Sequence, residues 1–257
     1  MTNISIEQQE EFSKEKGPVS NTNKDMEGSF LHNFAEGEVL LVNKPYKWTS
    51  FDVVGKIRNA FKPAKIKVGH AGTLDPLAKG LLIICTGKFT KKIDDYQAQE
   101  KEYTGTFVLG ATTPSYDMET EVDVRYDIRH ITPAHILDTI PHFLGEIEQV
   151  APAHSALKIN GERAYEKARR GEEVQLKSRK VTISEFEITR IDLPEVDFRV
   201  VCSKGTYIRS LANDFGKKLQ NGAYLSALRR TRIGQFSVDN SWEIMELVNK
   251  IKSQKEI

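Results

Sequence analysis

The sequence predicts an α+β fold with a mixed sheet. Apolar or alternating segments of strand character recur at residues 39–42, 81–85, 102–110, 181–191 and 198–202. Stretches of helical character lie between them, at residues 50–61, 132–140 and 207–219. The two kinds follow one another without a regular βαβ repeat, so the sheet is expected to be mixed. With 257 residues and 39% hydrophobic content, the chain can bury a core in one large domain or two small ones.

Residues 1–36 are rich in Glu, Gln, Asn, Ser and Lys, with seven acidic and three basic residues. They read as a disordered acidic tail, and a single domain is expected over 37–257. The strand at 39–42 ends at Asn43-Lys44-Pro45. Thr49 or Ser50 caps a helix that carries Phe51, Val54, Ile57 and Phe61, and Pro63 marks its end. Residues 67–82 read as a glycine-rich loop with Asp75-Pro76 as its turn. The run Leu81-Leu82-Ile83-Ile84-Cys85 follows at once as a buried strand. A charged helix is expected over 89–99, a strand over 102–110, a turn-rich loop over 111–116 and another strand over 121–128. Thr132-Pro133 supplies an N-cap with proline at N1 for a helix carrying Ile136, Leu137 and Ile140. Residues 150–158 read as a loop into an Asn160-Gly161 hairpin turn, followed by a short helix over 164–170. Strands over 181–191 and 198–202 flank Leu193-Pro194. Gly205 breaks the chain before a helix over about 207–219, and a last helix is expected over 242–251.

Net charge is +1, so partners must be read from its distribution. Residues 201–235 hold seven basic residues and one acidic, a segregation that suits a phosphate-binding face. Cys85 and Cys202 each sit in an apolar or strand-like run with no metal-ligand partner at a useful spacing, as reduced buried thiols do. The N-terminus lacks an apolar signal core and no apolar run reaches the length of a membrane span, so a cytoplasmic protein is expected. P-loop, GxSxG, CxxC and HExxH motifs are missing. His130, His135 and His142 lack carboxylates on a matching face, so no metal is expected there.

Chemistry is left to single polar residues in loops beside apolar strands. Asp75 before Pro76 is a common turn former. It shares its glycine-rich loop with His70 and Thr73, where backbone can approach a ligand closely, and this raises a catalytic carboxylate as the second reading.

Gly69-His70-Ala71-Gly72-Thr73-Leu74-Asp75-Pro76-Leu77-Ala78 resembles the signature loop of the TruB-type tRNA pseudouridine synthases. Leu41-Val42-Asn43-Lys44-Pro45 with Thr49-Ser50 resembles the family's opening strand and helix cap. Lys101-Glu102-Tyr103 resembles its basic–acidic–tyrosine strand, and Ser155-Ala156-Leu157-Lys158 with Gly161 its RNA-contacting insert. Lys204-Gly205-Thr206-Tyr207-Ile208-Arg209-Ser210-Leu211 resembles its late active-site helix, and Leu228-Arg229-Arg230-Thr231 its closing motif. The motifs occur in family order from about residue 38 to 237.

The resemblance implies a pseudouridine-synthase-like, mostly antiparallel mixed sheet flanked by helices, with an RNA-gripping, thumb-like insert at about 152–180. It implies conversion of uridine to pseudouridine in the T loop of tRNA, at position 55 in tRNA numbering, without a cofactor. Asp75, Tyr103 and Arg209 take the catalytic positions: the carboxylate that acts on sugar or base, a phenol beside the uracil, and the cation that orients the carboxylate. His70 would fill the gap left by the flipped base. Gly72 and Thr73 belong to the same loop, Tyr207 and Leu228 would line the uracil pocket, and Asp117 would contact RNA or order the site. Lys158, Arg163, Arg169 and Arg170 of the insert would meet phosphates, which give affinity and salt dependence.

Two departures stand out. Ala151-Pro152-Ala153-His154 replaces the family's usual prolines and aromatic before the insert, and the sequence after Phe236 leaves no room for a further module of the PUA type. The partner implied is the tRNA T arm, with no membrane and no obligate protein partner, and a monomer is expected. A non-catalytic tRNA binder or folding chaperone on the same scaffold is the alternative. A small-molecule hydrolase using Asp75 is a third reading, which leaves the basic segments without a role.

Overall fold

In the computed structural model, residues 34–253 are described except Ala156, Asn160 and Gln175. The first half of the chain runs β1 (Val39–Lys44), α1 (Ser50–Ala60), β2 (Val68–Ala71), β3 (Ala78–Thr86), α2 (Ile93–Ala98), β4 (Lys101–Leu109), β5 (Ala111–Thr112) and β6 (Val124–Arg125). Then come α3 (Pro133–Thr139), β7 (Gly145–Val150), β8 (Lys158–Ile159), β9 (Glu162–Arg163), α4 (Ala164–Arg169), β10 (Ser178–Asp192) and β11 (Glu195–Cys202). The chain closes with α5 (Ile208–Lys218), β12 (Ala223–Ile233), β13 (Phe236–Ser237), β14 (Trp242–Glu243) and α6 (Ile244–Ser253).

Ten strands form one sheet in the order β14-β1-β3-β12-β4-β11-β10-β7, with β13 on β12 and β2 on β3. β1–β14 and β3–β12 are parallel pairs; the others in this sheet are antiparallel. The mixed, mostly antiparallel sheet expected from the sequence is what the chain forms. Its apolar run at residues 81–85 does not alternate because both faces are covered. Leu82 and Ile84 pack with α1 and α6, while Leu81, Ile83 and Cys85 pack with Tyr96 and Phe236. On the other half of the sheet, Phe107 stacks on Phe198 at 4.1 Å and meets Phe215 of α5 at 5.4 Å, which seats α5 on β4 and β11. Burial pushes the Cys85 thiol up to about 12 and that of Cys202 up to about 11, so both stay protonated.

Several expectations are corrected. Residues 67–82 are a loop only in part: Val68–Ala71 pairs with β3, with His70 opposite Ile84, and β3 begins at Ala78. Four residues, one of them glycine, carry too little pattern to announce a strand; pairing with β3 decides it. Gly80 lies inside β3, at φ +107°, and a Cβ there would stand 2.2 Å from the Arg230 carbonyl oxygen of β12. β7 and most of β12 were not expected. β7 is an edge strand whose residues are mostly exposed, so it has no apolar face to read. β12 carries register shifts at 225/227 and 230/232 that break its alternation. The strand expected over 121–128 is only Val124–Arg125, and the charged helix over 89–99 begins as a 3-10 turn, Gly87–Lys92. Trp242–Glu243 pairs in parallel with β1, so the last helix starts at Ile244. In α3, Ile136 is buried but Leu137 is exposed. Phe34, assigned to the tail, is buried against Phe61; the remainder of the tail, residues 1–33, lies outside the described residues. Among the described residues no helix is long and apolar enough to cross a membrane.

Candidate active site

The loop between β2 and β3 is held from four sides. Thr49 caps α1, its hydroxyl accepting from the Asp52 amide at 3.0 Å, which leaves the next side chain, Ser50, free to turn inward. The Leu74 amide donates to Ser50 Oγ at 2.9 Å, and that hydroxyl donates to the Leu74 carbonyl at 3.2 Å. Lys44, fully buried, donates to the carbonyls of Trp48 at 2.5 Å, Pro45 at 3.1 Å and Pro76 at 3.4 Å. Arg230, also buried, donates to Gly72 O at 3.0 Å and Leu81 O at 2.8 Å. The fourth hold is on the side chain of Asp75 itself. Arg209 Nε lies 2.9 Å from Asp75 Oδ2, and Arg209 Nη2 donates to Asp75 Oδ1 at 3.1 Å.

Arg209 is 3% exposed and sits in the first turn of α5. Its remaining nitrogen, Nη1, donates to His154 O at 2.9 Å and Ser115 O at 3.3 Å. A second carboxylate, Asp117, stands 3.7 Å from Nε. Burial holds the Asp117 carboxyl above its usual range, and Arg209 opposes that shift. The start of α5 is fixed by Gln149, the one buried residue of β7: Tyr207 N donates to its Oε1 at 2.8 Å, and its Nε2 donates to Tyr207 O at 3.1 Å.

These supports surround a cleft of about 640 Å³, within the usual range for ligand sites. Asp75 and Thr73 line it from the loop, Tyr103 from β4, Tyr207 and Arg209 from the α5 start, and Leu228 from β12. The Asp75 side chain keeps 36% of its surface open, so the carboxylate is both paired and reachable. Burial pushes the Tyr103 phenol up, and Arg230 beside it pulls the other way, so Tyr103 meets a ligand as a neutral phenol at neutral pH.

Residues 58–208 match the model of the TruB family pseudouridylate synthase N-terminal domain, and residues 209–256 match that of the tRNA pseudouridylate synthase B C-terminal domain. The chain belongs to the TruB family. Among its relatives, the tRNA pseudouridine synthase B of Flavobacterium johnsoniae is 59% identical over 216 residues, 82% of this chain and 94% of that one. That of Bacteroides fragilis (strain ATCC 25285) is 52% identical over 226 residues, 86% and 97% of the two chains. A solved structure of a Cbf5-Nop10-Gar1 complex holds a chain that superposes with a TM-score of 0.66 at 30% identity, covering 94% of this chain and 59% of that one. The TruB chain here therefore spans less than two thirds of that larger chain.

Within the TruB framework the sequence-expected residues divide in two. Gly72, Thr73, Asp75, Tyr103, Tyr207, Arg209 and Leu228 line one cleft, and Asp117 stands behind Arg209. His70 is outside the lining, one strand position before Ala71. Its Nδ1 is buried with no hydrogen-bond partner among the described residues, and burial with Arg230 nearby holds the imidazole below its usual range. On the insert, the backbone of β8 places Lys158 opposite Arg163. Arg169 is paired with Glu119 at 2.5 Å, and Arg170 with Glu162 at 2.5 Å and Glu172 at 2.7 Å, so both must exchange carboxylates for phosphates to serve as RNA contacts. Sequence reasoning missed Lys44, Ser50, Gln149 and Arg230 as positioning residues, and Lys101 and Arg179 as lining ones. Arg230 had a readable signal: it lies two residues from Leu228, hence on the same face of a strand.

Lys44 carries a pH prediction. Burial lowers its amine from 10.5 to about 8, so at neutral pH it remains an ammonium donating to the three carbonyls. Below pH 8 the folded state bears the full cost of burying that charge. Between pH 8 and 10.5 the unfolded chain binds more protons than the folded one, so stability through Lys44 rises with pH. In urea melts, wild type should gain on Lys44→Met from pH 8 to pH 10; a flat difference across that window removes the assignment.

Proposed function

We propose that this chain isomerises uridine to pseudouridine in tRNA, at the T-loop position 55, with Asp75 as its catalytic carboxylate. It is read as a cytoplasmic monomer whose substrate is the tRNA T arm. The observation that carries the reading is the Asp75–Arg209 pair at the floor of a cleft that also holds Tyr103 and Tyr207. The reaction breaks the C1′–N1 bond, turns the uracil and forms a C1′–C5 bond. The C5 proton is lost and N1 gains one, so nothing is consumed and no redox partner is required.

The target base must leave its stack, at a cost of a few kcal/mol. A cleft with two tyrosines and Leu228 receives it, and His70, on the strand that feeds the catalytic loop, takes its former place. Asp75 then acts on the ribose or base while the planar fork of Arg209 aims it. Tyr103, on the cleft wall, serves the proton leaving C5. Arg163, Arg169, Arg170 and Lys158 of the insert grip the RNA backbone.

Incubating the purified protein with an unmodified T-arm stem–loop and digesting the RNA to nucleosides tests the reading. Pseudouridine at the single T-loop uridine is the expected product. Binding without any pseudouridine would leave only an RNA binder.

A further inference from the structure

A second groove, of about 1060 Å³, lies outside the catalytic cleft. Its walls are the end of α1, the connector that follows, and the first residues of β2. Four cationic side chains line it, Arg58, Lys62, Lys65 and Lys67, and among the described residues no carboxylate does. All four are exposed. Ile66 and Val68, half-buried, give it an apolar floor. The α1 carbonyls at this end, which would repel an anion, are already engaged: Phe61 N donates to Ile57 O and Lys62 N to Asn59 O, both at 3.3 Å.

The groove is tied to the cleft by geometry. β2 leaves it at Gly69, carries His70 and delivers Gly72 to the cleft. Three residues of extended chain span about 10 Å. The thumb-like insert hangs between β7 and β10, at the far end of the sheet. β3 and β10 are four strand positions apart, or about 19 Å. Groove and insert therefore attach to strands on opposite sides of β4, the strand that carries Tyr103. An RNA with one base in the cleft leaves it in two directions, and the insert meets only one of them.

We propose that this groove binds the phosphate backbone of the substrate RNA on the flank opposite the insert. The inference rests on the RNA-substrate reading above and extends its footprint. An open groove with four cations and an apolar floor suits a polyanion with riboses between its charges better than a compact ligand.

The test is an Arg58→Gln/Lys65→Gln/Lys67→Gln variant, with binding of an unmodified full-length tRNA transcript followed by fluorescence anisotropy over a salt series. Three lost phosphate contacts should make the slope of log affinity against log salt shallower by about 2 to 3. Affinity at low salt should fall at least ~10-fold, while single-turnover rate at saturating tRNA stays within about twofold of wild type. The single variant Lys67→Glu should weaken binding in the same direction. An unchanged salt slope with unchanged affinity overturns the proposal, as does a fall in saturating rate without a change in slope. The readout is binding, so a wild-type protein that binds tRNA but makes no pseudouridine would refute the activity and leave the groove result legible.

Discussion

An Asp75→Asn variant should lose pseudouridine formation by at least ~10³-fold while keeping tRNA affinity within about tenfold of wild type. The substitution changes two atoms' character and almost no volume. The loop should keep its shape, because its backbone is held by Ser50, Lys44 and Arg230 and none of these contacts uses the Asp75 side chain. Arg209 would lose its nearer carboxylate but retain Asp117 at 3.7 Å as counter-charge, so the buried guanidinium is not stranded. What disappears is the negative charge that the proposed chemistry uses at the cleft floor. RNA affinity comes mainly from cations facing phosphates, and Asp75 makes no such contact. Single-turnover assays with saturating T-arm RNA, beside a binding titration, separate the two quantities. Turnover near the wild-type rate would refute the role given to Asp75.

How far the sequence could be read differs between the site and its supports. Asp75 stood out locally, before Pro76 in a glycine-rich loop, whereas Tyr103, Tyr207 and Arg209 were marked as candidates only by the family resemblance. Their convergence was legible only through family resemblance, since Asp75 and Arg209 are 134 residues apart and no local rule brings them together. The supports were harder. Lys44 and Arg230 are long cations that look like surface residues, yet both are buried and spend their charge on backbone carbonyls. Gln149 lies on an edge strand with almost no apolar pattern, and its function is to clamp both backbone groups of Tyr207. β12 hides for another reason: two bulges shift its register, so Leu228 and Arg230 share a face of the strand that their neighbours do not announce. Three-dimensional pairing sets these positions, and only the two-residue spacing of Leu228 and Arg230 leaves a trace of it in neighbouring sequence.

Arg209→Lys should be nearly as costly as losing the carboxylate, although charge is conserved. The guanidinium donates to acceptors on three segments, Asp75 Oδ1 on the loop after β2, the Ser115 carbonyl before Asp117 and the His154 carbonyl at the base of the insert, and its Nε stands in ion-pair range of Asp75 Oδ2. A lysine ammonium is a compact point charge without the planar fork, and it cannot reach all of them at once. Leaving one or two buried carbonyls without a donor costs about 1–3 kcal/mol each. The urea-derived stability should therefore drop by about 2–4 kcal/mol. Asp75 would keep its charge but lose its orientation, and a displacement of about 1 Å is enough to cost on the order of 10²-fold in rate. Affinity for tRNA should change little, so the loss falls on the rate at saturation and not on KM. Arg209→Met should be worse than Arg209→Lys on both measures, because it leaves Asp117 buried with no cation at all. If the lysine variant turned over at the wild-type rate, charge alone would suffice, and the fork geometry that joins loop, helix and insert would have no part in the chemistry.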